Sequence, residues 1–221
     1  MKKKLGFISL GCSKNLVDTE KMLGILENAG FELTEDLETA QVLIVNTCTF
    51  IDPAKEESVQ TLLEAAEHRK SGTCECLVAA GCLTQEFQAD LAKEIPEIDI
   101  LLGTNSWQRI LEAVKQFYET DKKVQFFDTA PCQHEELLPR QLTTPEYMAY
   151  LKIAEGCSNG CTFCYIPYVR GRMRSRPIAS VMHEVRELAA RGVREFNLIA
   201  QDLSCYGRDL RDGTTLAGLL R

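Results

Sequence analysis

Short apolar runs alternate with longer amphipathic stretches over the first 125 residues of the chain. Four runs, LGFISL, VLIVNT, CLVAAG and IDILLG, are continuous enough to be strands that are buried on both faces. The stretches between them repeat apolar residues every three to four positions, which is typical of amphipathic helices. Asp52 and Pro53 mark the start of one helix, and Gly30 marks the end of another. The pattern predicts an α/β domain with a doubly wound parallel sheet.

The periodicity is lost between residues 126 and 145, where prolines and polar residues collect, and we predict a linker there. From 146 to 221 the pattern of strand, cysteine-containing loop, helix and strand predicts another parallel βαβ unit. A complete (β/α) barrel needs on the order of 200 residues, whereas 76 residues follow position 145. We therefore expect domains at 1–125 and 146–221, the second incomplete at Arg221, in the N-terminal part of a longer protein.

Charge is distributed unevenly along the chain. Residues 1–145 contain 14 Lys and Arg against 24 Asp and Glu, and residues 146–221 contain 11 against 8, so the net charge of -7 comes from the front. An acidic surface disfavours non-specific binding to nucleic acid and favours a basic partner, although it also improves solubility. The sequence has no run of about 18 apolar residues, and the apolar stretch after MKKK is too short for a signal peptide. A cytoplasmic protein without a membrane segment is expected.

Three of the ten cysteines occupy equivalent places in the predicted sheet. Cys12, Cys48 and Cys82 each follow a predicted buried strand. The carboxyl ends of parallel strands lie along one edge of a sheet, so these thiols are expected to converge there, beside helix starts that favour a thiolate. Because cytoplasmic thiols stay reduced, such clustering indicates metal or redox chemistry rather than disulfides. Cysteine is also a common small buried residue, which is our interpretation for positions 74, 76, 132 and 205.

A second set of three cysteines is compact in sequence. Cys157, Cys161 and Cys164 lie in EGCSNGCTFCYIP, in a predicted loop after a strand. Structural zinc sites need four ligands, usually in two pairs, and this stretch offers three. Cysteine thiolates also hold iron–sulfur clusters, and three protein ligands on four irons leave one iron open for chemistry. Gly156 and Gly160 would let the backbone wrap closely round such a cluster.

The spacing C-x-x-x-C-x-F-C, with Phe163 before the last cysteine, resembles the motif of the radical S-adenosylmethionine (SAM) enzymes. The segments SLGCSKNLVDTEKM, VNTCTFIDPAKEES, AAGCLTQ and EGCSNGCTFCYIPYVRGRMRSRP extend the resemblance over the whole chain, to the radical SAM methylthiotransferases. This resemblance implies that the second cysteine set binds a [4Fe-4S] cluster whose open iron binds SAM, and that residues 146–221 form the first βα units of a radical SAM barrel. It also implies an auxiliary [4Fe-4S] cluster on Cys12, Cys48 and Cys82, where the sulfur to be inserted is bound.

The start SLGCSKN resembles the branch of that family that modifies a small-subunit ribosomal protein, the RimO type. The resemblance implies addition of a methylthio group to the β-carbon of an aspartate in the twelfth protein of the small subunit. Two SAM molecules, a flavodoxin- or ferredoxin-type reductant and a sulfur donor are implied as well. A basic ribosomal protein suits the acidic front half. The alternatives are a transfer-RNA adenosine methylthiotransferase and, outside catalysis, an iron–sulfur electron carrier.

Further candidate residues follow from the same resemblance. Radical SAM enzymes commonly place groups that bind the SAM amino group at the end of the second barrel strand, which corresponds here to Gln201 and Asp202. Phe163 could shield the cluster from water. Four arginines could attract the SAM carboxylate or an acidic side chain, with a solvated loop as the simpler interpretation. They are Arg170, Arg172, Arg174 and Arg176.

Overall fold

A computed structural model of the protein describes residues 2–221, apart from the side chain of residue 71. The chain forms two compact units. The first comprises Met1–Cys132 with Pro139–Gln141, and the second comprises Gln133–Leu138 with Leu142–Arg221. The segment 126–145, for which we expect a linker, is therefore divided between the two units.

The first unit is built on one sheet. Its strands are β1 (Lys4–Ser9), β2 (Glu32–Leu33), β3 (Val42–Thr47), β4 (Cys76–Gly81), β5 (Ile100–Leu102) and β6 (Val124–Phe126). In the described residues the strand order is β2-β1-β3-β4-β5-β6, and every neighbouring pair is parallel. This order reverses direction between β1 and β3, which confirms the predicted doubly wound sheet. β2 and β6 are not predicted from the sequence pattern, because they do not lie in a continuous buried apolar run such as the one that contains the three-residue β5.

Helices cover both faces of this sheet. They are α1 (Ser13–Asn28), α2 (Asp52–Ser71), α3 (Cys82–Glu86), α4 (Gln88–Glu94) and α5 (Ile110–Thr120), with 3-10 turns at Leu37–Thr39 and Trp107–Arg109. As predicted, α2 begins at Asp52 with Pro53 in its first turn, and Gly30, at a φ of +98°, follows the end of α1. The stretch 83–95 is expected to form one helix but is split at Phe87, whose φ of -115° and ψ of 35° are not helical.

The core of the first unit lies on either side of β3 and β4, whose residues are all buried. Alternate side chains of a strand face opposite sides of the sheet. On one side, Leu43 and Leu77 pack with Leu62 of α2 and Leu83 of α3. On the other side, α1 and α5 pack together against the sheet. Burial of each such Leu side chain stabilises the fold by about 1.5–3 kcal/mol. The continuous apolar sequences of β3 and β4 therefore place these strands at the centre of the sheet.

The second unit contains a smaller parallel pair. Its elements are β7 (Met148–Lys152), β8 (Ala154–Glu155), β9 (Arg174–Ser175), β10 (Glu195–Ile199), α6 (Ile166–Val169), α7 (Ile178–Ala190) and α8 (Leu216–Leu219), with 3-10 turns at Glu135–Leu137 and Leu203–Cys205. β7 and β10 are parallel neighbours connected through α7, which confirms the predicted βαβ unit. β8 and β9 pair antiparallel and close the base of a loop that spans residues 156–173. Among residues 2–221, no helix has the length and apolar content that a membrane crossing needs.

A buried ion pair joins α1 to the segment 139–141 within the first unit. Arg140 donates to Glu20 Oε2 from Nε at 2.9 Å and from Nη2 at 2.6 Å, and the two side chains are 3% and 0% exposed. The N–H of Gln141 donates to the Glu20 carbonyl at 2.9 Å. A Cβ at Gly24 would lie 2.6 Å from the carbonyl oxygen of Pro139, so glycine is needed for this approach. The pair and the glycine together hold the segment against the helix.

Substituting Arg140→Met removes the guanidinium from the buried Glu20 carboxylate. Loss of one partner of a buried ion pair costs about 3–5 kcal/mol, so the free energy of unfolding measured in urea should fall by that amount. Lys93→Met is the control, because Lys93 and Glu94 form an exposed pair, a class that contributes about 0–1 kcal/mol. Equal losses in the two variants would contradict a structural role for the buried pair.

Candidate functional site

The first cysteine set lies at the carboxyl edge of the six-stranded sheet. β1, β3 and β4 are neighbours, and Cys12, Cys48 and Cys82 follow their last residues within three positions. Doubly wound sheets bind ligands at this edge, where the strand order reverses. Cys12 is exposed directly before α1, Cys48 is buried, and Cys82 is the half-buried first residue of α3. The structure therefore brings the three cysteine-bearing segments to one edge, as their positions in the sequence predict.

Two glycines allow these segments to pack closely. Gly11 has a φ of +84°, and a Cβ there would lie 2.7 Å from the Sγ of Cys48. Gly81 has a φ of +96°, and a Cβ there would lie 2.3 Å from the Oδ1 of Asn46. Left-handed φ values favour glycine, and the neighbouring atoms leave no space for a side chain. The residues before Cys12 and Cys82 are thus fixed as glycine by the packing at the edge.

Ser58 of α2 fixes the main chain of the middle cysteine. Its hydroxyl accepts a hydrogen bond from the N–H of Cys48 and donates one to the Cys48 carbonyl, each at 2.9 Å. Ser58 is fully buried, as is Asn15 of α1, which contacts the same edge. Sequence reasoning did not select either residue. The signal that could have indicated them is a small polar residue on the core-facing side of a helix that starts beside a cysteine.

The second cysteine set lies in the single irregular loop between β8 and β9. Cys157 is buried, Cys164 is half-buried and Cys161 is exposed. The N–H of Cys157 donates to the carbonyl of Gly171 at 3.1 Å, and the N–H of Cys164 donates to the carbonyl of Cys161 at 3.1 Å. The side chain of Phe163 is 91% exposed, so its ring faces solvent. A main-chain hydrogen bond therefore fixes one end of this loop to the other, and the residues in its middle are exposed to solvent.

Buried charges surround the base of this loop. Glu155, directly before it, accepts a hydrogen bond at Oε2 from Nη1 of Arg170 at 2.8 Å. The same oxygen lies 3.4 Å from the Nζ of Lys152, and the side chains of Lys152 and Arg170 are 4% and 5% exposed. A carboxylate between two buried cations stabilises both. Glu155 thereby fixes the point at which the chain enters the cysteine loop.

Arg176 forms a second buried group of charges behind β9. Its Nη1 lies 2.6 Å from Glu184 Oε2, and its Nε lies 3.3 Å from Glu135 Oε1. Burial lowers the pKa of Arg176, but these carboxylates outweigh it and raise the pKa above its ordinary value. Because Arg170 and Arg176 are ion-paired within the fold, the interpretation as a solvated loop is wrong for them. It suits Arg172, which is exposed.

Gln201 follows β10 and reaches the base of the cysteine loop. Its Nε2 donates to Glu155 Oε1 at 2.6 Å, which identifies the nitrogen because a carboxylate only accepts. Its Oε1 is buried and, in the part of the chain that the structure describes, has no hydrogen-bond partner. A buried acceptor without a donor suits a ligand that brings an N–H group.

Both carboxylate oxygens of Asp202 accept hydrogen bonds from neighbouring residues of the fold. Its Oδ1 accepts from the N–H of Ser204 at 3.0 Å and from the hydroxyl of Ser204 at 2.6 Å, and its Oδ2 accepts from Nδ2 of Asn159 at 2.9 Å. These bonds from Ser204 and Asn159 hold the pKa of Asp202 well below its ordinary range. Because Asn159 lies between Cys157 and Cys161, Asp202 fixes the cysteine loop, and the geometry favours Gln201 over Asp202 as a ligand-binding group.

Comparison with known proteins divides the chain in the same way as the structure. Residues 4–103 match the family described as Uncharacterized protein family UPF0004, and residues 151–214 match the Radical SAM superfamily. The first unit therefore resembles the UPF0004 family, and the second unit contains a segment that resembles the radical SAM superfamily.

Relatives that match almost the whole of this chain are named Ribosomal protein uS12 methylthiotransferase RimO. The chain is 52% identical over 220 residues to that of Syntrophotalea carbinolica, 52% over 218 residues to that of Symbiobacterium thermophilum and 47% over 220 residues to that of Geobacter sulfurreducens. The matches cover 99–100% of this chain and 48%, 45% and 49% of the relatives. The chain therefore spans about half the length of these relatives. The resemblance to the ribosomal-protein branch of the methylthiotransferases is confirmed.

The match of residues 151–214 to the radical SAM superfamily implies SAM and an iron–sulfur cluster. The second cysteine set fits this requirement, because thiolates are the ligands of such clusters and the unpartnered oxygen of Gln201 lies at the foot of the loop. Among the residues that the structure describes, no three Cys, His, Asp or Glu side chains are grouped so that they could hold a metal ion.

Gly156 and Gly160 form a matched pair for testing the cysteine loop. Gly156 has a φ of +77°, and a Cβ there would lie 2.2 Å from the Arg172 carbonyl oxygen, whereas a Cβ at Gly160 would meet no atom within 4 Å. Gly156→Ala should lower the free energy of unfolding by about 1–3 kcal/mol and reduce the iron that the protein retains after anaerobic reconstitution. Gly160→Ala should change neither quantity. Urea unfolding and iron analysis of both variants check this, and similar behaviour of the two would contradict it.

The depressed pKa of Asp202 predicts a pH dependence with a definite sign. The ordinary pKa of an Asp is about 3.9, and the folded-state pKa lies below it. Asp202 therefore stabilises the fold fully above pH 4 or so, and this contribution is lost as the pH falls through the folded-state pKa. The difference in unfolding free energy between the wild type and Asp202→Asn should be constant above about pH 5 and narrow below about pH 4. Urea titrations at stepped pH values measure it, and an unchanged difference in acid would contradict the prediction.

Proposed function

We propose that the protein at full length is a radical SAM methylthiotransferase that adds a methylthio group to the β-carbon of an aspartate in ribosomal protein uS12. The observation that carries the proposal is the similarity of the whole chain, at 47–52% identity, to the three proteins named for that activity. The acidic front half of the chain agrees with a basic protein substrate. The relatives do not favour the alternative substrate, transfer-RNA adenosine.

Two iron–sulfur sites belong to this proposal, one in each unit. Cys157, Cys161 and Cys164 would hold the [4Fe-4S] cluster that binds SAM, and the auxiliary [4Fe-4S] cluster would be held by Cys12, Cys48 and Cys82. When bound, the two clusters would supply reductive cleavage of SAM to a radical and a place for the sulfur that is transferred. Each set offers three thiolates for four irons, which leaves one iron of each cluster for a further ligand.

Residues of the second unit have defined parts in the proposal. Gln201 would accept a hydrogen bond from the SAM amino group at its buried Oε1, which has no partner in the described residues. Asp202 would keep the cysteine loop in place through Asn159. The exposed ring of Phe163 would cover the bound ligand and exclude water. A flavodoxin- or ferredoxin-type reductant and a sulfur donor are the expected further partners.

Iron counting tests the two sites. After anaerobic reconstitution the full-length protein should contain about eight irons, and alanine substitution of either cysteine set should leave about four. The matched control replaces three cysteines outside both sets, Cys74, Cys76 and Cys132, and should keep all the iron. A protein that retains its full iron after loss of Cys12, Cys48 and Cys82 would contradict the auxiliary site.

The substrate is tested by incubating the reconstituted full-length protein with SAM, reductant and sulfur donor, and with either ribosomes or transfer RNA. The proposal expects the mass of a methylthio group on an aspartate of uS12 and none on transfer RNA. Modified adenosine without modified uS12 would establish the transfer-RNA alternative. Intact clusters with neither product would favour an electron carrier.

A further inference from the structure

The side chain of Asn15 contacts all three segments of the first cysteine set. Its Nδ2 donates to the carbonyl oxygen of Leu10 at 2.9 Å and to the carbonyl oxygen of Thr47 at 2.8 Å. Its Oδ1 lies 3.8 Å from the Sγ of Cys82, within the range of a hydrogen bond from a thiol. Leu10 is two residues before the first cysteine of the set, and Thr47 is directly before the second.

The orientation of this amide is determined by its partners. Carbonyl oxygens only accept hydrogen bonds, so the group that faces both Leu10 and Thr47 must be the nitrogen with its two N–H donors. The oxygen is then the atom that faces the thiol of Cys82, which donates. The nitrogen of the Asn15 side chain is therefore directed at the ends of β1 and β3, and its oxygen at the end of β4.

The position of Asn15 is itself fixed by the core of the first unit. Asn15 is fully buried, and its carbonyl accepts hydrogen bonds from Nδ2 of Asn46 at 2.8 Å and from the hydroxyl of Thr19 at 3.0 Å. Nδ2 of Asn46 also donates to the Thr19 hydroxyl at 3.0 Å. These bonds join the first turns of α1 to β3, the central strand of the three.

We propose that Asn15 is the positioning residue of the first cysteine set, a role that rests on the proposed function of those cysteines as cluster ligands. The three ligands come from strands that are far apart in sequence, so no local loop geometry can align them. One amide that contacts all three segments sets their main chains relative to one another before metal binds. Partners that orient metal ligands commonly influence metal affinity by about 10–100-fold.

The chemistry of the site requires an amide of this size. An aspartate would turn a carboxylate oxygen toward two carbonyl oxygens, because it has acceptors only. A leucine has a similar shape but leaves the carbonyl of Leu10 and the buried carbonyl of Thr47 without this donor. Asn15→Asp and Asn15→Leu therefore remove the donors in two different ways while they preserve most of the volume.

The test uses the full chain in which Cys157, Cys161 and Cys164 are alanine, so that iron and sulfide load the first set alone. Asn15→Leu and Asn15→Asp should each lose iron to a ferrous chelator at least about tenfold faster than this parent, and should alter the electron paramagnetic resonance spectrum of the reduced cluster. In the metal-free protein, Cys48 and Cys82 should be alkylated faster by iodoacetamide, as measured residue by residue by mass spectrometry. Ser106→Ala is the matched control, because it removes a hydrogen bond of a buried side chain in the same unit whose partner, the N–H of Asp128, belongs to none of the cysteine segments.

The outcomes separate this inference from the proposed function. Iron retention, spectrum and alkylation like those of the parent, or changes no larger than those in Ser106→Ala, would overturn the role of Asn15. Loss of folding in both Asn15 variants while Ser106→Ala stays folded would also overturn it, because Asn15 would then serve the fold rather than the site. If alanine at Cys12, Cys48 and Cys82 itself removes no iron, the proposed auxiliary site fails, and the alkylation rates still decide whether Asn15 positions the segments.

Discussion

Parallel pairing of β1, β3 and β4 is the constraint on which the first unit depends. Every residue of β3 and β4 is buried, so their backbone N–H and C=O groups can be satisfied only by the ladders on either side. In these ladders Asn46 pairs with Ser9 and with Ala80, and Thr47 pairs with Gly81, so the strands end almost level with one another. A shift of one residue would turn every side chain to the opposite face, which the two-sided core does not permit. The three cysteine-bearing segments consequently leave the sheet at the same edge and at nearly the same level along the strand direction.

The two cysteine sets are assembled in physically different ways. The first is long-range, since its members come from three strands and are aligned by side chains of the helices that follow. The second is local, since one loop carries all three cysteines and the β8–β9 pair closes its base. The buried charges around that base, which centre on Glu155, cost free energy to desolvate. Their role is to fix the geometry of the loop base rather than to stabilise the fold. They fix where the loop begins and ends, while its exposed middle carries Cys161 and Phe163.

In both sets, close packing of the backbone fixes the main chain beside the cysteines. Glycines with left-handed φ precede Cys12, Cys82 and Cys157, so the approach of each segment is determined by this packing.

The sequence alone determined the alternation of buried strands and amphipathic helices, the equivalent places of Cys12, Cys48 and Cys82, and the compact second motif. These features follow from local periodicity and spacing, which are properties of the chain itself. Tertiary structure alone decided the short strands β2 and β6, the break at Phe87, the parts played by Asn15 and Ser58, and the preference for Gln201 over Asp202. Short strands outside a continuous apolar run leave no pattern in the sequence, and the role of a buried amide or hydroxyl depends on which carbonyls, thiols and carboxylates the fold places around it. Those neighbours are distant in sequence, so their identity becomes known only when the sheet and its helices are assembled.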